Sequence, residues 1–238
     1  MKIVRPFSLP DGRLLVQLMA IGPGLCSGDS ATLDVTVEAG ARVVLIAQSA
    51  TRVLGAGEGG PARQRVTLRV RERGHLEYYP GLIIPFPQSH LEQRVEVDLE
   101  TGARAGLGES WAMGRSSRGE YLQFRRLFSH MTVRLDGSPI YLDGLDLEPA
   151  AAHLEGRGVL DGHRYVASGF WYGVQAGSFV APADRAVLMA VGQPAPDQVY
   201  LRAVAVDGFQ LGECVQAVVS AIQARWRLQP IPLQRFTS

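Results

Sequence analysis

The sequence predicts a mainly β fold: stacked antiparallel β units, β-helix-like or a distorted sandwich, with a C-terminal α-helix. Three observations lead to this prediction. Segments with an apolar residue at every second position recur along the first two-thirds of the chain, as in strands with one buried face. A glycine turn follows each of these segments closely. Near the end of the chain, apolar residues recur at helical spacing on one face.

The repeated unit consists of a strand, a glycine turn and a second apolar segment. In chain order the three units are Leu33–Val37 with Gly40 and Val43–Ala47, Val66–Val70 with Gly74 and Leu76–Tyr79, and Val95–Leu99 with Gly102 and Ala105–Met113. Because an isolated hairpin is only marginally stable, stacked units that share a core would explain the pattern. An ordinary β-sandwich with common turns would explain it too.

Proline, turn and alternation signals predict the remaining elements. Pro80–Pro87 holds three prolines, which exclude a regular central strand, so we expect an extended segment or an edge. An Asp136-Gly137 turn predicts a hairpin within residues 132–147. We expect a short helix at Pro149–Leu154. Further strands are predicted at Val159–Leu160, Tyr165–Trp171, Ala186–Val191 and Tyr200–Val206.

The C-terminal helix is predicted from about Leu211 to Arg227. Asp207-Gly208 introduces it, and the basic Arg225 near its end suits the helix dipole. We interpret the apolar face as core packing; it carries Val215, Val218, Val219, Ile222 and Trp226. Since no change of composition marks a boundary, we expect residues 1–238 to form a single domain.

Composition excludes several classes of protein. A net charge of +1 provides no overall field that would draw nucleic acid or an acidic membrane. The two cysteines, Cys26 and Cys214, form neither a disulfide framework nor a zinc pattern. No apolar run approaches the roughly 18 residues that span a membrane, and the first residues lack a signal-peptide core. We therefore expect a cytoplasmic protein with no nucleic-acid or membrane partner.

Several motifs follow one another along the chain. In order, they are a glycine-rich turn that ends in Gly28-Asp29, then Gln48–Thr51, Gly60–Gln64, Leu76–Pro80 and the Gly-Arg-x-x-x-Gly-Glu segment Gly114–Glu120. Each motif alone is weak, but their order is specific. From about residue 3 to residue 238, the chain resembles the urease accessory proteins of the UreD/UreH family.

The resemblance implies a non-enzymatic maturation factor for urease. Such a scaffold or chaperone would work with a GTPase and a second, helical accessory protein, dock on apo-urease and assist nickel insertion. It implies no tightly bound cofactor, although nickel would be in transit. Compared with the family pattern, the chain is expected to begin late, without the strands that usually precede the position of Val4.

Two other functions remain compatible with the residues. The family's usual glutamine after the Leu-Glu-aromatic-x-Pro segment is Gly81 here, which favours a β-fold interaction module that has lost the urease role. Cys26 in its glycine-rich turn is a candidate thiol nucleophile, which would make the protein an enzyme. Its context matches no hydrolase signature, so a small apolar filler is the favoured interpretation of Cys26.

Four carboxylates are candidates for a nickel path: Asp29, Glu77, Glu109 and Glu120. By the resemblance, Glu109 sits where the family carries an acidic residue. Nickel accepts oxygen ligands, and single carboxylates would attract the ion without a tight cage. The structural alternative for Asp29 is a turn residue bonded to nearby backbone N–H groups. None of the five histidines forms a short paired motif, so no stable metal centre is predicted.

Arg115, Arg118 and Tyr121 are the candidates for partner binding. They lie in or next to the Gly-Arg-x-x-x-Gly-Glu segment, with further arginines and aromatic residues following. Arginine and aromatic side chains are enriched at protein interfaces, which favours a docking surface. A solvated loop or strand without a partner explains the same residues equally well.

Overall fold

A computed structural model gives the structure of residues 2–55, 57, 59–175 and 186–233. Within these ranges the chain forms sixteen strands and one α-helix. In chain order they are β1 (Lys2–Ile3), β2 (Phe7–Ser8), β3 (Leu14–Met19), β4 (Ser30–Val37), β5 (Arg42–Ala47), β6 (Thr51–Val53), β7 (Ala62–Val70), β8 (His75–Tyr79), β9 (Leu82–Pro85), β10 (His90–Leu99), β11 (Arg104–Ala112), β12 (Arg126–Leu135), β13 (Ser138–Leu147), β14 (Tyr165–Tyr172), β15 (Val187–Ala195), β16 (Gln198–Ala205) and α1 (Gly208–Arg225).

The strands form two sheets that share a core. Across the described ranges, the larger sheet has eleven strands with a main path β1-β3-β5-β8-β11-β14-β16-β15, and the smaller has five in the order β13-β12-β10-β7-β4. Side chains from both sheets, among them Leu68, Val97 and Leu107, meet in one apolar cluster. The prediction of a mainly β, stacked fold with a C-terminal helix is confirmed, and the stacking is that of a solenoid.

Strands of successive units pair in parallel, which corrects the antiparallel pairing predicted from the sequence. In the smaller sheet β4, β7, β10 and β12 are parallel neighbours, and in the larger sheet so are β3, β5, β8 and β11. Each glycine turn joins a strand of one sheet to a strand of the other, so the two strands of a unit do not pair. The alternation of apolar and polar residues indicates which face of a strand is buried. It does not indicate which strand is its hydrogen-bonded neighbour or whether the two run parallel.

Parallel stacking places equivalent residues of successive units side by side. Leu33, Val66 and Val95 occupy matching positions in β4, β7 and β10, and all three are buried. The turn glycines Gly40 and Gly102 have φ angles of 71° and 78°, a region that glycine adopts at no steric cost. Because the units are in register, their buried faces form one continuous core.

The hairpin and the C-terminal helix lie close to their predicted positions. β12 and β13 form an antiparallel hairpin around Asp136-Gly137. α1 begins at Gly208, earlier than predicted, because Asp207 caps it: its Oδ1 accepts a hydrogen bond from the N–H of Gln210 at 2.9 Å. The buried side chains of α1 pack on the larger sheet, as its apolar stripe predicted. This described helix is not long and apolar enough to cross a membrane.

Two predictions between β13 and β14 are wrong. Pro149–Leu154 consists of turns rather than a helix, and Val159–Leu160 lies in turns rather than in a strand. Leu154 and Leu160 are instead buried in an apolar cluster that includes Trp111. This segment is held by contacts with strands distant in sequence, and such contacts override local propensity.

Glu77 of β8 lies at the centre of a buried polar network between the larger sheet and α1. Its Oε1 accepts from Arg13 Nη1 at 2.6 Å and lies 3.2 Å from His75 Nε2, while its Oε2 accepts from Gln223 at 2.6 Å and from Tyr79 at 3.2 Å. Burial alone would raise the pKa of Glu77. The hydrogen bond and charge of His75, together with Arg13, outweigh burial and hold this pKa below its usual value.

Arg13 extends this network to the other end of the chain. Its guanidinium, which is fully buried, also donates to Asp11 at 2.6 Å and to the backbone oxygen of Gln229. Asp11 accepts in turn from the N–H of Gln229 at 3.0 Å, and Gln223 accepts from the N–H of Ile231 at 3.0 Å. The segment that follows α1 is thereby fastened to the residues around β3.

We expect Glu77→Gln to destabilise the fold strongly. The substitution removes the fully buried one of the two carboxylates that pair with Arg13, and breaking a buried pair in this way costs about 3 kcal/mol of unfolding free energy. Glu92→Gln is the matched control, because Glu92 pairs with Arg63 at the surface at 3.2 Å and its loss should cost less than about 1 kcal/mol. Urea denaturation measures both values, and equal losses would contradict the central role given to Glu77.

Candidate functional site

A row of polar side chains crosses the otherwise apolar space between the two sheets. Glu109 of β11 faces the smaller sheet, where Gln93 of β10 donates a hydrogen bond to its Oε1. The same amide group donates to Ser129 Oγ of β12 at 3.1 Å. Gln64 of β7 occupies the position beside Gln93 in the parallel register, as Ser129 does on the other side. We call Gln64, Gln93, Glu109 and Ser129 the polar layer.

Burial sets the protonation state of Glu109. The residue is 3% exposed, and this burial, with the negative charge of Asp143 as a smaller contribution, raises its pKa to about 8. Asp143 itself is nine-tenths buried and forms an ion pair with Arg202 of β16. Glu109 is therefore mostly protonated at neutral pH, and it presents a hydrogen-bond donor as well as an acceptor.

A cavity of about 360 Å³ opens next to the polar layer. Asp29, Gln64 and Tyr78 are among its lining residues. The side-chain oxygen of Gln64 is buried and has no hydrogen-bond partner among the described residues. A buried acceptor without a hydrogen-bond partner is unfavourable. Gln64, the member of the polar layer that lines the cavity, can therefore accept a hydrogen bond or coordinate a ligand from the cavity.

Asp29 has the turn geometry that we gave as its structural alternative. Its Oδ2 accepts a hydrogen bond from the N–H of Cys26 at 2.8 Å, across a turn in which Gly28 has a φ of 80°. The residue is exposed at the rim of the cavity described above. A capping role for the carboxylate leaves its second oxygen free for a further contact.

Cys26 is exposed, so the prediction that it fills a small apolar space is wrong. It lies at the surface because its turn packs through backbone hydrogen bonds and Ser27 rather than through the thiol. No basic side chain is hydrogen-bonded to this thiol in the described part of the chain. The thiol-enzyme hypothesis thus lacks the adjacent base that activates a nucleophile.

Arg115 and Glu120 are paired with each other in the Gly-Arg-x-x-x-Gly-Glu loop. The guanidinium donates two hydrogen bonds to the carboxylate, at 2.6 and 2.5 Å, and stacks on Phe86 with its centre 3.9 Å from the ring centroid. Gly114 allows this compact loop: its φ is 125°, and a Cβ there would lie 1.8 Å from the backbone oxygen of Glu120. This loop has a defined shape that its own ion pair maintains.

The other two candidates for partner binding differ in exposure. Arg118 is exposed, whereas Tyr121 is half-buried and donates a hydrogen bond to the backbone oxygen of His163 at 3.2 Å. Of the three candidates, Arg118 is thus the side chain most available to a partner. Whether any of the three contacts a partner remains a prediction.

The four carboxylates proposed for a nickel path lie apart in the structure. Glu77 is fully buried on the α1 side of the larger sheet and Glu109 on the opposite side, while Asp29 is at the cavity rim and Glu120 is bound to Arg115. Within the described ranges, no three His, Cys, Asp or Glu side chains come together as a metal site would require. The arrangement provides single carboxylates rather than a cage.

The sequence interpretation missed the partners of Glu109. Gln64 and Gln93 stand at inward-facing positions of β7 and β10, where the alternation of those strands calls for an apolar residue. A polar residue at an inward-facing position of a strand can be recognised in the sequence, and it would have indicated these partners. Asp143 and Arg202 gave no comparable signal, because their pairing joins strands from different sheets that are distant in sequence.

We expect Glu109→Gln to change how stability depends on pH. The carboxyl has a pKa of about 8 when folded and an ordinary value of 4.5 when unfolded, so its ionisation destabilises the folded state as the pH rises between these values. Glutamine does not ionise. The stability of the variant relative to the parent should therefore increase from about pH 5 to about pH 8 in urea denaturation. Glu96→Gln, at an exposed position of β10, is the control; parallel curves for Glu109→Gln and the parent would contradict the expectation.

Residues 1–238 match the family model described as UreD urease accessory protein. The chain is 44% identical over 171 residues to urease accessory protein UreD 1 of Synechococcus sp. (strain JA-3-3Ab), a match that covers 72% of this chain and 64% of that protein.

Two further relatives carry similar names. Urease accessory protein UreD of Deinococcus radiodurans is 38% identical over 169 residues, which cover 71% of this chain and 60% of the relative. Urease accessory protein UreH of Helicobacter pylori (strain J99) is 25% identical over 164 residues, which cover 69% and 62%. The chain thus spans less than two thirds of the length of these relatives. Since the family model matches it from end to end, the chain belongs to the UreD urease accessory protein family.

Proposed function

We propose that this protein is a non-enzymatic maturation factor for urease, which acts in the cytoplasm as a scaffold during nickel insertion. Membership of the UreD family is the observation that carries this proposal. The relatives are named urease accessory proteins, and an accessory role needs surfaces and a route for cargo rather than a reaction centre.

The partners in this proposal are apo-urease, a GTPase that carries nickel and a second, helical accessory protein. The chain would contribute rigid surfaces, because its parallel stacked sheets and capped helix fix the loops at their ends. The Arg115–Glu120 loop offers a defined shape, and the exposed Arg118 offers a group that can pair with a carboxylate of a partner.

The polar layer is the proposed route for nickel in transit. Asp29 at the cavity rim would attract the hydrated ion, and the unpaired oxygen of Gln64 and the carboxyl of Glu109 would follow along the route. Single oxygen ligands of this kind hold a divalent ion weakly, which suits a protein that must release its cargo. Glu77 and Glu120 contribute less to such a route, since ion pairs already occupy their carboxylates.

Co-expression of apo-urease with its accessory proteins tests the function directly. We expect urease activity and urease-bound nickel to be lost when this chain is omitted and to return when it is added back. Full nickel loading without the chain would refute the maturation role, and would leave an interaction module with a different partner.

The same assay tests the route. Glu109→Gln keeps the size of the side chain but removes its carboxylate, so we expect nickel loading to fall by about tenfold. Glu92→Gln, which removes an exposed carboxylate from the outer face of β10, should load nickel normally. Normal loading by the folded Glu109→Gln variant would refute the route while leaving the scaffold role intact.

The interface prediction concerns Arg118. We expect Arg118→Ala to weaken co-purification with the accessory partners by about tenfold, the effect of removing a central interface arginine. Arg157→Ala is the control, because Arg157 is likewise exposed but lies in the turns between β13 and β14. An equal recovery of partners with both variants would place the interface elsewhere.

A further inference from the structure

The outer face of the smaller sheet is charged, and most of its charges are paired across strands. Each pair joins an arginine to a carboxylate of a neighbouring strand. The pairs are Arg63–Glu92 at 3.2 Å, Arg69–Asp34 at 2.7 Å, Arg126–Asp146 at 2.7 Å and Arg134–Asp98 at 3.8 Å. Opposite charges at facing positions stabilise a sheet, so these pairs need no further explanation.

One transverse row of this face departs from the pattern. Arg65 of β7 lies directly beside Arg94 of β10, and Arg94 lies directly beside His130 of β12. We call these three residues the basic row. Both arginines are exposed, and neither forms an ion pair within the described ranges. Arg94 has its guanidinium 5.5 Å from the centroid of the Phe128 ring, which leaves its hydrogen-bond donors free.

The basic row is unfavourable for the isolated protein. Like charges at facing positions of neighbouring strands repel each other. Packing does not require arginine here, because these positions face away from the core, and neighbouring rows show that an arginine can be matched with a carboxylate. An anion supplied from outside would remove the repulsion, since each guanidinium can donate two parallel hydrogen bonds to one carboxylate.

The surroundings of the basic row limit the size of that anion. A hollow of about 190 Å³ opens beside the two arginines, and its lining also includes Ser30, Thr32 and the acidic Glu92. On β10 the row lies between Glu92 and Glu96, both on the same face, so a long polyanion laid along the strand would be repelled. The site therefore accommodates one or two carboxylates at a time, and an extended phosphate backbone fits it poorly.

We propose that the basic row is a docking site for an acidic segment of a partner protein, whose carboxylates bind Arg65 and Arg94. The overall charge of +1 makes this row a local attraction rather than part of a general basic surface. The two arginines lie on the outer face of the smaller sheet, and Gln64 of the polar layer also lines the hollow beside them. The proposal does not depend on the route for nickel, because it is argued from the unpaired arginines alone.

A labelled peptide with two adjacent glutamates flanked by glycine and serine serves as the probe, with the 238-residue chain and fluorescence anisotropy at low ionic strength. Arg65→Gln removes one arginine of the row without breaking an ion pair. We expect it to weaken peptide binding by about tenfold. Arg69→Gln is the matched control, because it removes the same charge from the same face of the same strand, where Arg69 is already paired with Asp34. It should change the affinity by less than about twofold.

Three outcomes would overturn the proposal. The first is peptide binding that does not saturate. The second is an equal loss of affinity in both variants, which would mean that net charge alone attracts the peptide. The third is tighter binding of a single-stranded DNA hexamer than of the peptide with the same dependence on Arg65, which would assign the row to nucleic acid. Circular dichroism is the check that both variants are folded, and we expect Arg65→Gln to fold because it relieves the repulsion between the two arginines.

Discussion

The buried ion pair between Arg13 and Glu77 is the interaction on which the assembly of the three parts of this fold depends. A charge pair removed from water is tolerated only when its remaining hydrogen-bonding groups are satisfied. Here Asp11 accepts hydrogen bonds from other N–H groups of Arg13. His75 and Gln223 provide the further polar contacts of the Glu77 carboxylate. Since these residues come from the start of the chain, the larger sheet and the helix, the pair fixes their relative positions. Apolar packing alone is non-directional and would allow the helix to shift.

The two faces of the larger sheet shift the pKa of a buried carboxyl group in opposite directions. Glu77, on the helix side, is surrounded by donors and stays ionised, whereas Glu109, on the side of the smaller sheet, meets one amide and the negative charge of Asp143 and is mostly neutral at neutral pH. The two residues lie on neighbouring strands of one sheet, β8 and β11, so the difference arises from the side chains that surround each carboxyl group on its own face. One carboxyl group thus holds the structure together, and the other leaves the interior polar layer mostly uncharged at neutral pH.

The sequence predicted the buried faces of the strands well, because alternation and glycine turns are local signals. It predicted Asp207 at the start of the helix and the Asp136-Gly137 hairpin for the same reason. The pairing direction was mispredicted, since a turn that changes sheets looks like a hairpin turn in sequence. Pro149–Leu154 was mispredicted because distant contacts of Leu154 determine its conformation. Glu109 was selected by resemblance, but its partner Gln93 depends on register between strands. Arg13 was missed because its partners Glu77 and Gln229 are distant from it in sequence.

The contacts of Arg13 with Gln229 also constrain the order in which the chain can fold during synthesis. The ribosome releases the segment after α1 later than the strands, so the solenoid units can stack while Arg13 still lacks part of its hydrogen-bonding shell. Until then the helix-facing side of the larger sheet, with Val44, Ile46 and Leu201, remains uncovered. An apolar sheet face that stays exposed until α1 packs on it promotes aggregation. Translation that stops before α1 would therefore yield stacked units with an exposed apolar face, and the nascent chain would benefit from a chaperone until α1 and the segment after it have emerged.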